Sequence, residues 1–226
     1  MDTQIHKGHR ERMKKRFVEH GLDSFEDHSM LELLLFFSIP QHDVNQLAHR
    51  LINSFGSIAG VFEATYEDLI KIDGVGESTA VLLHLIPQVC RRYMISASNT
   101  EKILDSSEKA GVYIKPFFIG AREEVVYMLC LDSKRKLLAC REVSRGIANA
   151  AEINVRKMVE AALTHNATNA IIAHNHISGI ALPSYEDEVT TKKVRNALGI
   201  VGVRLLDHIV VAGDDFVSMA DSGFFV

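Results

Sequence analysis

The sequence predicts an α/β protein in two parts: a small all-α N-terminal domain, and a larger domain of mixed strands and helices around a mostly buried sheet. Three observations predict it. Up to about Arg92, apolar residues recur at spacings of three and four, the period of a helix. Beyond about residue 103 the pattern changes to short apolar or alternating runs with helical stretches between them. Between the two lies SASNTEK, Ser96 to Lys102, small and polar, the best linker in the chain. The predicted domains are therefore 1–95 and 103–226.

In the first part, SMLELLLFFSI, VNQLAHRLINSFG and TYEDLIKI each carry an apolar helical stripe, with Pro40, Gly56 and Gly60 as breaks. KIDGVGESTAVLLHLIPQVCRRYM reads as two stripes joined by a turn at Gly74-Val75-Gly76. In the second part, EVVYMLCLDSKRKLLACREV reads as two strands around a turn at Asp132-Ser133-Lys134. INVRKMVEAALTH is a helix and NAIIAHNH a short apolar strand. SYEDEVTTKKVRNALG is an amphipathic helix closed by Gly199. VRLLDHIVVAG and DFVSM are two further strands. No internal repeat of solenoid length is present.

Composition narrows the function classes. With 226 residues and 47% apolar content the chain can bury a sizeable core. A net charge of −4 gives no argument for wholesale binding to nucleic acid or membranes. The exception is local: KGHRERMKKRF, Lys7 to Phe17, is densely basic. Three cysteines, Cys90, Cys130 and Cys140, are odd in number and lack CxxC spacing. Cys130 and Cys140 sit among apolar residues and read as core thiols, which favours a reducing compartment. No run approaches the roughly 20 apolar residues of a membrane span, and the charged N-terminus is not a signal peptide. The expected location is the cytoplasm.

The chemistry concentrates in IIAHNHISGIALPSYED, Ile171 to Asp187. Alternate side chains of a strand face the same way. His174 and His176 can thus point into one site while Asn175 points away. Two imidazoles and a carboxylate are three ligands of a tetrahedral zinc site, and three protein ligands mark a catalytic rather than a structural site. Gly179 and the loop before Pro183 let the chain turn back, so that a helix starting near Ser184 offers Asp187. A structural reading competes. Ser184-x-x-Asp187 is also a helix capping box, and HxH alone is weak in a chain with 11 histidines.

His174-x-His176, seven residues, Ser184, two residues, Asp187 resembles the H-x-H-x7-S-x2-D signature of the JAMM (MPN+/JAB) metallopeptidases. The surrounding AHNHISG, LPSYED, TTKKVRNALGIVGVRLLDHIVVAG and FVSM resemble the RadC family, a bacterial branch of that superfamily, over nearly the whole chain. The resemblance implies a JAB/MPN-like mixed sheet flanked by helices, with zinc bound by His174, His176 and Asp187. It implies that Ser184 bonds the forming oxyanion. A glutamate on the first strand, here Glu124 with Glu123 as the fallback, would act as general base. The implied activity is hydrolysis of an amide, often an isopeptide at a lysine side chain, in a peptide or protein substrate. The chain departs from the family at Ile177, where proline is usual, and at Val155, while Arg156 is kept. His208 reads as a buried structural histidine, with an outer-shell role as the alternative. His165 reads as a cation at a helix end.

LIKIDGVGESTAVLL resembles a helix-hairpin-helix, whose Gly-x-Gly turn offers backbone N–H groups to a DNA phosphate. The implied binding is weak and sequence-independent, with Lys7, Arg10, Arg12, Lys14, Lys15 and Arg16 supplying charge. A glycine turn between packed helices is the alternative, and Glu77 beside the turn favours it. Two readings of the whole protein follow. One is a zinc-dependent peptidase or isopeptidase. The other is a DNA-repair-associated DNA-binding or scaffold protein whose MPN fold does no hydrolysis.

Overall fold

Apolar spacing sets where the helices of the N-terminal region form. The structure, a computed structural model, describes residues 3–97, 102–146 and 154–224. The centre of the predicted linker, 98–101, lies outside the described residues, as does Ile153 at the front of INVRKMVEAALTH. The chain divides into two compact units, Met1–Cys90 and Arg91–Val226.

The first unit is built from α1 (Thr3–His20), α2 (Asp27–Ser38), α3 (Asn45–Phe55), α4 (Ile58–Glu63), α5 (Tyr66–Ile70) and the start of α6 (Glu77–Ala97). Leu31 and Leu35 of α2, Leu51 of α3, Leu69 of α5 and Leu83 of α6 are fully buried in one core. Gly56 ends α3 in the left-handed conformation, as its position predicts. Gly60 is not a break. It lies inside α4, where a Cβ would come within 2.1 Å of the Phe55 carbonyl oxygen, so close packing rather than chain reversal requires glycine there.

The basic run of α1 is partly spent inside this unit. The Arg10 guanidinium lies over the Phe36 ring, 4.4 Å from its centre, and donates to the carbonyls of Ile39 and Pro40. Arg16 lies over Phe25 and bonds Ser24, while Lys14 and Lys15 pair with Glu11 and Glu19. At the glycine turn, Val75 is buried in the core and Arg50 donates to the Asp73 carbonyl. Gly74 has φ +92°, and a Cβ there would press on Arg50 and Leu47 of α3.

The second unit carries α7 (Ser107–Ile114), a 3-10 turn (Lys115–Phe118), β1 (Val125–Leu131), β2 (Leu137–Arg145), α8 (Val155–Thr164), β3 (Asn169–Asn175), α9 (Tyr185–Ile200), β4 (Arg204–Ala212) and β5 (Asp215–Ser218). The five strands form one mixed sheet in the order β2-β1-β3-β4-β5. Only β3 and β4 run parallel, joined by the crossover through α9; the other pairs are antiparallel. Every residue of β1 is buried, because both faces of the sheet are covered. Val126, Met128, Cys130, Ala170 and Ile172 pack with Met158 of α8 and Val194 and Leu198 of α9. Val125, Tyr127, Leu129, Ile171 and Ala173 pack on the opposite face with Ala110 and Ile114 of α7 and Phe118. The fold is thus α/β, with a helical N-terminal region and a mixed sheet flanked by helices.

Gly199 does not close α9. The helix runs one residue beyond it, and the reversal falls on Gly202 at φ +76°. The N–H groups of Gly202 and Val203 bond the carbonyls of Gly199 and Leu198, which satisfies the last turn. Cys130 is buried and Cys140 half-buried; burial pushes their thiols up to about 11 and about 12. Among the described residues no helix is long and apolar enough to cross a membrane.

Candidate metal centre

Strand β3 carries its apolar run to its end and delivers the first histidine there. His174 pairs with Val126 of β1 on one side and Val210 of β4 on the other. It is therefore pinned at the centre of the sheet and only 4% exposed. His176 lies one residue past β3, its backbone N–H held by the Val211 carbonyl at 2.8 Å. Strand alternation turns both histidines to the face covered by α8 and α9. Asp187 enters from the first turn of α9 and is 2% exposed. An anion there also meets the positive end of the helix dipole.

The three donors converge. His174 Nε2 and His176 Nε2 are 2.9 Å apart. Asp187 Oδ1 is 3.1 Å from the first and Asp187 Oδ2 3.3 Å from the second. A tetrahedral ion with arms of roughly 2.0–2.2 Å spans ligand pairs about 3.3–3.6 Å apart, so the observed triangle is slightly tight for one and needs only a small opening. His176 Nδ1 lies 3.2 Å from the Ile180 carbonyl. A carbonyl only accepts, so Nδ1 keeps the hydrogen and Nε2 turns a lone pair inward. A lone pair and a carboxylate facing each other at this distance repel unless a cation stands among them. The donor set of imidazoles and one carboxylate suits a divalent transition metal. Among the described residues these are the three whose donor atoms could hold one.

Electrostatics favour the charged carboxylate. Burial alone would raise the Asp187 carboxyl, but the bond and charge of His174 and two bonds from Ser184 outweigh it and hold the group below the usual carboxylate range. The Ser184 N–H and hydroxyl donate to Oδ2 at 2.7 and 2.6 Å, and the hydroxyl accepts from the Asp187 N–H at 3.1 Å. The capping box is therefore present, and its serine also touches the donor carboxylate.

Glu124 is half-buried, one residue ahead of β1. Val126 shares a face with its partner His174, so alternation puts Glu124 on that same face and Glu123 on the other. The Glu123 carboxylate lies 3.6 Å from Arg145 Nη1 and fills the space where Gly146 would carry a Cβ. Asn175 does point away from the metal site, and it has its own task. Its Oδ1 accepts from the Val125 N–H at 2.8 Å and its Nδ2 donates to the Glu123 carbonyl at 3.2 Å. The amide thus grips the backbone on both sides of Glu124.

His208 is fully buried behind His174, with Nε2 2.8 Å from His174 Nδ1. Burial, reinforced by the charge of His174, pushes its ring well below the usual histidine range. His208 is thus buried, as its first reading has it, and it also touches a candidate ligand, as the alternative requires. His165 does sit at the end of α8, but its Nε2 accepts from Arg141 Nε at 3.0 Å. Ile177, Ile180 and Leu182 are exposed along the loop that joins the two halves of the donor set, and Tyr185 is exposed at the start of α9.

Sequence reasoning missed the grip of Asn175, as well as Thr191 and Asp207. The Thr191 hydroxyl lies between the Asp187 carbonyl, at 2.6 Å, and His208 Nδ1, at 2.5 Å. Asp207 accepts from the Ser218 hydroxyl and from the N–H groups of His208 and Ala220, which ties β4 to the end of β5. Only the position of Asp207 beside His208 carried any signal.

Fold and site together define a JAB-type α/β domain with a candidate HxH…D metal centre. Residues 104–224 match the RadC-like JAB domain family, and residues 6–81 match the UPF0758 N-terminal family. The chain belongs to the RadC-like, UPF0758 family. It is 33% identical over 213 residues to a UPF0758 protein of Herminiimonas arsenicoxydans, covering 94% of this chain and 95% of that one. A UPF0758 protein of Paraburkholderia xenovorans is 31% identical over 93% of this chain and 83% of its own length. One from Pseudoalteromonas translucida is 33% identical over 94% and 95%.

Proposed function

We propose that the chain is a zinc-dependent JAMM-type hydrolase of amide bonds, acting on a peptide or on an isopeptide at a lysine side chain. The observation that carries it is the convergence of His174, His176 and Asp187 in a RadC-like JAB domain. When bound, zinc supplies Lewis acidity towards water and towards a substrate carbonyl. The three donors hold it on the α8/α9 face of the sheet.

The other steps belong to the chain's own residues. Glu124 takes the proton of the attacking water and returns it to the leaving nitrogen, as a carboxylate in reach of both atoms can. Its position rests on the strand register and on the grip of Asn175 on its neighbours. Ser184 stands beside the donor carboxylate, and its hydroxyl would bond the oxyanion once its hydrogen turns from Asp187 Oδ2.

The test uses the full chain loaded with zinc, assayed on unlabelled peptides and on lysine-isopeptide conjugates by mass spectrometry. Wild type is expected to cleave one of the two classes. Glu124→Gln is expected to keep its zinc and lose about two to four orders of magnitude in rate, the usual span for a general base. Full activity in Glu124→Gln removes that residue from the role. No cleavage of either class by zinc-loaded wild type favours the scaffold reading.

A further inference from the structure

Behind the metal donors runs a closed line of hydrogen bonds, from the Asp187 backbone through Thr191 and His208 to His174. We propose that Thr191 and His208 are positioning residues that fix the tautomer of His174, so that its Nε2 presents a lone pair rather than an N–H to the metal. The inference rests on the metal reading above and adds residues to it.

The direction of the line follows from what each atom can do. Thr191 Oγ1 lies 2.6 Å from the carbonyl of Asp187, four residues earlier on α9. A carbonyl only accepts, so the single hydroxyl hydrogen is spent there, as is common for threonine within a helix. The Met219 sulfur, at 3.7 Å, is a weaker and more distant acceptor. The hydroxyl oxygen then has only lone pairs left for His208 Nδ1, 2.5 Å away, which must donate to it. A neutral ring with its hydrogen on Nδ1 has a lone pair on Nε2. His174 Nδ1, 2.8 Å from that atom, must donate in turn. His174 Nε2, which faces Asp187 and His176, is then the ring atom that presents its lone pair when a metal takes the place of the hydrogen it shares with Asp187, since Nδ1 keeps its own.

Burial makes the line decisive. His208 is 0% exposed, Thr191 3% and His174 4%, so no bulk water offers the rings another partner. The line also links three elements, α9, β4 and β3. Helix α9 thus sets the Asp187 carboxylate directly and the His174 lone pair indirectly. Without the Thr191 hydroxyl, His208 gains by moving its hydrogen to Nε2, where His174 Nδ1 can accept it. His174 must then carry its own hydrogen on Nε2, aimed at the metal position. Outer partners of metal-bound histidines are typically worth about 10–100-fold in metal affinity.

The experiment uses the full chain, with wild type, Thr191→Val and Thr191→Ser compared. Valine keeps the branched shape and removes the hydroxyl; serine keeps the hydroxyl. Long-range nitrogen–proton correlation spectra of the metal-free, histidine-labelled protein read each tautomer directly. The expected result is Nδ1–H at His174 and His208 in wild type and Thr191→Ser, and Nε2–H at both in Thr191→Val. Zinc affinity, measured by competition with a chelator, should fall about 10–100-fold in Thr191→Val and stay near wild type in Thr191→Ser. A His174 or His208 whose Nδ1 carries no hydrogen in wild type overturns the proposal even if Thr191→Val fails to fold. Wild-type tautomers and affinity in a folded Thr191→Val overturn it while leaving the three-donor site standing. A wild-type chain that takes up no zinc overturns both this proposal and the hydrolase reading.

Discussion

A one-residue step separates Glu124, which the alternation of β1, carried two residues back from Val126, would set on the face of His174, from Glu123, whose carboxylate lies 3.6 Å from Arg145. Such a step reverses every side chain of a strand, so Glu123→Gln is expected to leave hydrolysis intact where Glu124→Gln loses about two to four orders of magnitude in rate. Parallel rate measurements on the two variants check this. Asn175 supports the same residue through the backbone. Asn175→Ala would strand the Val125 N–H and the Glu123 carbonyl, a cost of about 1–3 kcal/mol for a buried unmet polar group. Denaturant unfolding should show that loss; an unchanged midpoint would mean water replaces the amide. At this scale the convergence of His174, His176 and Asp187 was legible from the resemblance to the H-x-H-x7-S-x2-D signature, while period and spacing alone left the helix capping box as an equal reading. The grip of Asn175 and the bonds of Thr191 were not legible. They depend on which strand lies beside which, and a local pattern does not carry that.

Helix α9 does two jobs with one residue pair. Ser184 caps the helix and holds the Asp187 carboxylate through the same hydroxyl. Ser184→Ala is therefore expected to destabilise the metal-free protein by about 1 kcal/mol, the usual cost of a lost N-cap. Thermal and denaturant unfolding in the presence of a chelator measure it. A serine serving the oxyanion alone would leave metal-free stability unchanged. The long elements of the second unit were legible because their apolar periods are long and regular. The end of α9 was not: Gly199 reads as the stop by sequence, but the backbone turns three residues later, at Gly202. Helix α4, with six residues, is too short to show a period, and it made Gly60 look like a break.

The molecule as a whole separates helical packing from sheet chemistry. Cores of the two regions are distinct clusters, one of leucines in the N-terminal helices and two on the faces of the sheet. Residues 103–226 are expected to fold and bind zinc without the N-terminal helices, since every donor and both sheet cores lie in that stretch. Truncation removes Arg91, which donates to the Tyr127 hydroxyl at 3.1 Å, so a piece starting at 91 should be the more stable of the two. Circular dichroism melts of both pieces test this; a 103–226 piece that is unfolded even with zinc would contradict it. The change from helical to strand periodicity made this division of chemistry legible. Where the chain divides was harder to read, because α6 runs through Cys90–Arg91 without a break in its pattern.

The central claim is the metal, and zinc content per chain tests it most directly. Wild type, equilibrated with zinc and freed of excess, is expected to carry about one ion per chain, the complement of a single three-ligand site. His176→Ala, which leaves the sheet core untouched, should lose most of it while keeping its fold by circular dichroism. Equal zinc in wild type and a folded His176→Ala, or none in wild type, would contradict the assignment of His174, His176 and Asp187 as its ligands.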